Sequence, residues 1–315
     1  MEKFIDLHVH SCYSDGEHTP GELIDIAKNN DVRTISITDH DTVLAYQNLI
    51  ADNDVEVIPG IELSAKDEIG RTHILGYGID PFNKEILEQT ERLKENSIES
   101  FLMIVEYLKN KGVIFNSKDI SYLINREGDV GRPDLAKLCI DYGYSESVDD
   151  AFRQYLIEAY LATKSKRSSL TYQECFELIK KAGGIPVLAH PISLNRNKED
   201  MDALIKDMVK EGLMGLEVFH SNHSIEQMSE YLRLAQKYNL LYSGGSDYHG
   251  EIIKPDIEMG KGRQKNLHLT NCTVLDYLKN RWYSIFLIFI GKKMAKYIAF
   301  IYKTWYSLIV SKIAY

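Results

Sequence analysis

The sequence predicts an α/β fold: a closed or nearly closed barrel, interrupted by a helical insert. Three observations carry that expectation. Seven short apolar runs rich in β-branched residues recur along the chain. Helix-period patterns separate them, the alternation that wraps helices around a parallel sheet. One long stretch between the fourth and fifth runs keeps the helical spacing alone. With 315 residues the chain has room for about two domains, or for one large barrel plus an insertion.

The first run, Phe4–Val9, follows Met1-Glu2-Lys3 directly, without the apolar core of a secretory leader, and a cytoplasmic location is expected. Thr34–Thr38, Glu56–Ile61 and His73–Gly78 complete the first part of the barrel, residues 1–80. From Pro81 to Lys181 apolar residues fall at helical spacing (Ile86, Leu93, Phe101, Ile104, Tyr107, Leu108), with a turn signal at Glu127-Gly128-Asp129. Residues 81–181 are therefore expected to form a helical lid. Ile185–Ala189, Gly215–Phe219 and Leu240–Gly244 supply the second part of the barrel, residues 182–280.

The last segment, 281–315, differs in composition. It carries six basic residues (Arg281, Lys292, Lys293, Lys296, Lys303, Lys312), no acidic one, and both tryptophans, Trp282 and Trp305. Its longest lysine-free apolar stretch, Trp282–Ile290, is far short of the roughly 20 residues that span a bilayer. Basic residues interleaved with aromatics fit a helix lying on a membrane surface. A packed terminal helix, or a segment foreign to the fold, fits the same composition.

Composition excludes several classes. Forty-four per cent hydrophobic and 26 per cent charged residues are ordinary for a globular chain and exclude a disordered one. Thirty-seven basic against 46 acidic residues give −9, the wrong sign for gripping duplex nucleic acid by general electrostatics. A short RNA end held by local arginines or metals remains compatible. Cys12, Cys139, Cys175 and Cys272 lie far apart with no CxxC pair, a pattern of reduced thiols rather than a disulfide framework.

The chemistry is concentrated in histidine. Of ten histidines, six fall at or just past the ends of strand runs: His8, His10, His40, His73, His190 and His249. Asp15, Glu62 and Asp247 share that placement. In a β/α barrel the C-terminal ends of the strands converge on one face. Side chains alternate along a strand, so His8 and His10 point the same way and can chelate one ion. Nine nitrogen and oxygen donors exceed one tetrahedral ion and suffice for two or three, and the absence of cysteine among them suits manganese, zinc or iron. His220 and His223 follow the sixth run and are left open; His18 and His268 are expected on the surface.

These residues lie in motifs: Asp6-Leu7-His8-Val9-His10, Ser14-Asp15-Gly16, Thr38-Asp39-His40-Asp41, Pro59-Gly60-Ile61-Glu62, His73-Ile74-Leu75-Gly76-Tyr77, Ala189-His190-Pro191 and Gly245-Ser246-Asp247-Tyr248-His249. Together, in order over about residues 3 to 270, they resemble the polymerase and histidinol phosphatase (PHP) family. The resemblance implies a distorted (β/α)7 TIM-like barrel, a trinuclear metal site and phosphoester hydrolysis by metal-activated water. It also implies that His8, His10, Glu62 and Asp247 bind one ion, and that Glu62 bridges to a second held by His73 and His190. Asp15, His40 and His249 would hold the third, with Asp15 or His249 near the leaving oxygen as an acid.

Within the family, the insert and its Gly131-Arg132-Pro133 resemble the subgroup that hydrolyses nucleoside 3′,5′-bisphosphates and includes 5′-to-3′ exoribonucleases. Pro133 suits the first position of a helix, whose free N–H groups favour an anion, and Arg132 offers a planar fork for phosphate. Arg196 is a second candidate phosphate ligand. Asp134 departs from the subgroup, which often has histidine there; an aspartate can cap the helix but would repel a second phosphate. Tyr122, Phe152 and Tyr155 are candidates to stack on a nucleobase. The expected partner is a small phosphorylated nucleotide or short RNA end. Two alternatives stand beside this reading: a phosphomonoesterase acting on histidinol phosphate or another small ester, and a non-catalytic metal-binding module tethered to a membrane by its tail.

Overall fold

The computed structural model describes residues 3–47, 49–50, 52–66, 72–163 and 170–281. The chain divides into a body, Met1–Val274, and a second unit, Leu275–Tyr315. Apart from Arg281, the tail expected at a membrane surface lies outside the described residues. Among the described residues no helix is long and apolar enough to cross a membrane.

Each expected run contains a strand. They are β1 (Phe4–Val9), β2 (Val32–Ile37), β3 (Glu56–Val57), β4 (Gly60–Lys66) and β5 (Thr72–Tyr77) in the first part. β6 (Leu170–Thr171), β7 (Ile185–Leu188), β8 (Gly215–His220) and β9 (Leu241–Gly245) follow, with a small hairpin of β10 (Ile257–Glu258) and β11 (Gly262–Arg263). The third run is two strands rather than one, because Pro59, with no N–H to give to a ladder, falls between β3 and β4.

The α/β class holds, but the strands form two sheets rather than one closed ladder. One has the order β1-β2-β3 and the other β6-β4-β5-β7-β8-β9. They touch at two seams, a bridge of Val9 to Tyr248 and one of His40 to Glu62. Nor are all strands parallel. β5 runs antiparallel to both β4 and β7, whereas β7, β8 and β9 are mutually parallel. That reversal has a chemical consequence. His73 stands at the start of β5, and its carbonyl accepts from Ala189 N at 3.1 Å, just past the end of β7. A histidine at the beginning of an antiparallel strand thus reaches the same rim as those at the ends of its neighbours.

The helices include α1 (Pro20–Asn29), α2 (Lys84–Asn110), α3 (Ser117–Asn125), α4 (Arg132–Asp141), α5 (Val148–Ala151), α6 (Ile157–Thr163), α7 (Tyr172–Lys181), α8 (Lys198–Glu211) and α9 (Ile225–Lys237). Reciprocal side-chain caps start three of them: Thr19 with Glu22, Thr171 with Glu174, and Ser224 with Gln227. The helices contribute to a larger and a smaller apolar core. The larger joins the faces of the sheets opposite His8, Glu62 and Glu217 to α1, α7, α8 and α9 through residues such as Ile37, Ile74, Phe176, Ile205 and Leu234. The smaller lies within the insert and packs Phe101, Ile104 and Leu108 of α2 against Leu135, Cys139 and Leu156.

The insert is fastened to the sheet body at residues 126–129. Gly128 has φ +89°, and a Cβ there would collide with the Tyr13 carbonyl. Asp129 N donates to Tyr13 O at 2.7 Å, and Arg126 Nη2 donates to Ser14 O at 3.1 Å. The loop that carries Asp15 is thereby tied to the insert.

Candidate metal centre

All nine residues expected as ligands meet at the rim. Glu62, fully buried in β4, is the hub. Its Oε2 lies 3.2 Å from His8 Nε2, 3.2 Å from His10 Nε2 and 3.3 Å from His40 Nδ1. Its Oε1 lies 2.8 Å from His190 Nε2 and 3.0 Å from His73 Nδ1. Asp247 closes the set on one side, with Oδ1 3.5 Å from His8 Nε2 and 3.4 Å from both His10 Nε2 and His249 Nδ1. Asp15 closes the other, 3.1 Å from His249 Nε2, 3.5 Å from His10 Nδ1 and 3.8 Å from His40 Nε2.

The donor set fits divalent ions. Ligand bonds of about 2.0 to 2.2 Å at tetrahedral angles place donor atoms roughly 3.3 to 3.6 Å apart, close to the spacings around His8, His10, Glu62 and Asp247. Mutually close donors also group as His10, Asp15, His40 and His249, and as His40, Glu62 and His73. Buried ring nitrogens point the same way: His10 Nε2 and His40 Nδ1 have no hydrogen-bond partner although carboxylate oxygens stand beside them. Cations beside these nitrogens would satisfy them.

The electrostatics agree. Burial would raise the carboxyls of Glu62, Asp15 and Asp247, yet neighbouring positive charge holds all three well below the usual range. For Glu62 and Asp15 that charge comes from the surrounding rings; for Asp247 it comes first from Lys254, then from His249 and His8. Burial would lower His10, but the Asp247, Glu62 and Asp15 carboxylates beside its ring lift it to about 9. His40, dominated by burial, falls to about 3. Without a metal ion the cluster gathers protons to balance its carboxylates; divalent cations would take their place.

A second layer orients the ligands. Glu217, fully buried on β8, accepts at Oε1 from His8 Nδ1 (2.9 Å) and at Oε2 from His190 N (2.6 Å). Asp39 holds Ser11 N at 2.6 Å and Ser14 Oγ at 2.7 Å on either side of the first turn. Asp6 holds Ser246 N at 2.8 Å and Gly260 N at 2.7 Å beneath Asp247. Such partners fix tautomer and ring orientation. His190 (φ +22°) and Asp247 (φ +58°) adopt backbone conformations unfavourable for L-residues, strain that recurs at functional sites.

Sequence reasoning missed Glu217, which carries no motif of its own; its only sign was an acidic residue inside an apolar strand run. It also left His220 open, and His220 Nε2 lies 3.4 Å from Asp247 Oδ2. His223 is buried with Nδ1 on Val218 O, outside the expected set. His18 is partly exposed against Tyr248, and His268 rests on Phe4.

A cavity of about 870 Å³ opens over the cluster, lined by Asp15, His40, Glu62, His73, His190, Asp247 and His249 on one side and by α2 and α4 of the insert on the other. Arg132 lines it, the guanidinium lying 4.1 Å from the centre of the Tyr160 ring. Arg196, on the turn after His190, is not among the lining residues. Asp134 does not present its charge to the cavity either. It is buried, accepts from Gly131 N at 2.9 Å as a helix cap, and is gripped by both nitrogens of the Arg126 fork at 2.8 and 3.0 Å. The expected repulsion of a second phosphate is thereby removed. α4 begins at Arg132, so Pro133 is its second residue rather than its first. Of the stacking candidates, Phe152 lines the cavity, Tyr122 is exposed, and Tyr155 packs on the insert's own core.

Comparisons with known proteins agree with this geometry. The PHP domain family profile matches residues 6–253. A 3′,5′-nucleoside bisphosphate phosphatase of Chromobacterium violaceum is 28% identical, over 78% of this chain and 87% of its own length. The 5′-3′ exoribonuclease Rnm of Escherichia coli is 30% identical, over 81% of this chain and 88% of its own. The crystal structure of a chain described as a metal-dependent phosphoesterase from Bifidobacterium adolescentis superposes with a TM-score of 0.69 at 28% identity, covering 84% of this chain and 93% of that one.

Proposed function

Because the chain belongs to the PHP domain family, we propose that its cavity takes nucleoside 3′,5′-bisphosphates or the 5′ end of RNA. The coarser statement stands by itself: this is a metal-dependent phosphoesterase, a hydrolase of phosphoester bonds. In the same reading the two sheets are arcs of one distorted barrel, and residues 81–181 form a lid over its rim.

The observation that carries the proposal is a nine-donor cluster opening into a cavity that also holds Arg132 and Phe152. His8, His10, Glu62 and Asp247 would hold one ion, Glu62 with His73 and His190 a second, and Asp15 with His40 and His249 a third. Ions of manganese, zinc or iron in such sites activate water at neutral pH and offset phosphoryl charge. The chain's own residues do the rest. Glu217 and Asp39 keep the rings aimed. Arg132, backed by Tyr160, grips a phosphate of the substrate through its fork, while Phe152 offers a face to the base. Asp15 or His249, 3.1 Å apart on the cavity side, gives the leaving oxygen its proton, whichever of the two is not held by the third ion. The insert, fastened to the Asp15 loop, excludes bulk water.

The test is a comparison of kcat/KM for adenosine 3′,5′-bisphosphate, a short 5′-phosphorylated RNA and histidinol phosphate with manganese present. The proposal expects turnover of the bisphosphate or stepwise loss of 5′ nucleotides. Turnover of histidinol phosphate alone would contradict it and leave the phosphoesterase intact.

A further inference from the structure

The loop after His249 sets a lysine against the cluster. Lys254 closes a turn through its own N–H on Gly250 O at 3.0 Å, and its side chain lines the cavity. Nζ donates to Asp247 Oδ2 at 2.5 Å and to the Asp247 carbonyl at 3.3 Å. Asp247 is thus divided between two duties. Oδ1 faces inward to His8, His10 and His249, and Oδ2 faces Lys254 and His220. An ammonium has three donors. Two are given to Asp247, and among the described residues none claims the third.

Lys254 is distinct from the other cations of the cavity wall. Arg263 pairs with Asp256, and Arg132 lies against aromatic rings. Lys254 is ion-paired to a member of the cluster. A divalent ion at Oδ1 would place two positive charges on opposite oxygens of one carboxylate. An anion between them relieves that repulsion.

We infer that Lys254 contacts the phosphoryl group of the substrate, its free donor reaching a phosphoryl oxygen while the other two stay on Asp247. The inference rests on the phosphoesterase reading and adds a residue to it. It makes Lys254 a competitor of the metal ion for Asp247 and an ally of the phosphate. Removing it therefore weakens phosphate binding and does not weaken metal binding, the opposite of what a mere prop for Asp247 would do.

The experiment titrates manganese calorimetrically into the full chain and into Lys254→Met and Lys254→Arg, then titrates inorganic phosphate into each manganese-loaded protein. In Lys254→Met, manganese affinity is expected at or above that of the unsubstituted chain. Phosphate affinity is expected to fall about 10- to 100-fold, the worth of one charge-assisted hydrogen bond. Lys254→Arg keeps the charge and most of the phosphate affinity. Weaker manganese binding with unchanged phosphate affinity would overturn the inference and make Lys254 a support for Asp247; no change in either would remove its role altogether. If the unsubstituted chain binds manganese but no phosphate, the phosphoesterase reading itself fails, a result separable from the other two.

Discussion

Glu62 sits among five imidazoles with each oxygen shared, so its charge is the balance point of the centre. Glu62→Gln keeps the shape and removes the charge, and divalent binding should collapse. Glu217→Gln touches no ion in this account but loosens His8 and His190 together. It should weaken manganese affinity about 10- to 100-fold, the usual cost of losing an orienting partner, and clearly less than Glu62→Gln. Calorimetric titration of both variants checks the order. The nine donors were legible in the sequence because each lies in a short motif whose spacing sets its neighbours. Glu217 was not, since its role comes from β8 lying beside β7, a pairing no local pattern reveals. Asp134 was legible as a helix cap, but its partner Arg126 lies on the preceding loop, and only packing brings the two together.

At the level of elements, the alternating runs announced the α/β class, and the helical spacing announced helices between β5 and β6. They could not announce direction. An apolar strand buried on both faces reads the same forwards and backwards, so the reversal of β5 and the split at Pro59 appear only when the strands pair. The junction between the insert and the Asp15 loop is the element contact most exposed to test. Arg126→Ala leaves buried Asp134 without its counter-charge, which costs about 3 to 5 kcal/mol. Gly128→Ala demands a left-handed conformation and a Cβ where the Tyr13 carbonyl lies. Both should lower the melting temperature, and both should raise KM for the phosphoester substrate if the proposed lid then shifts from the rim. Unaltered KM with lowered stability would show that the junction serves folding alone.

For the whole molecule the cluster ties stability, pH and metal together. His10 is lifted to about 9 from an ordinary 6.5 by neighbouring carboxylates whose effect outweighs burial, and Asp41 is pushed to about 6 from 3.8 chiefly by burial. A group raised on folding stabilises the protein fully below its unfolded value and loses that contribution as pH climbs through the folded one. Burial holds His40 and His223 down to about 3, so their contribution is complete above 6.5 and cannot offset the loss. The metal-stripped protein should therefore melt at progressively lower temperature from about pH 7 to pH 9. Manganese must displace the His10 proton below pH 9, so its affinity should rise over the same window. Melting curves with and without manganese across that range check both signs.

The central claim, that the buried histidine–carboxylate cluster hydrolyses phosphoesters through bound divalent ions, meets its most direct test in phosphate release from adenosine 3′,5′-bisphosphate by the full chain. The chain is first stripped with a chelator and then reloaded with manganese. The account predicts no release after stripping, full recovery on reloading, and no recovery in Glu62→Gln. Release that persists in the stripped protein, or that Glu62→Gln matches, would contradict it.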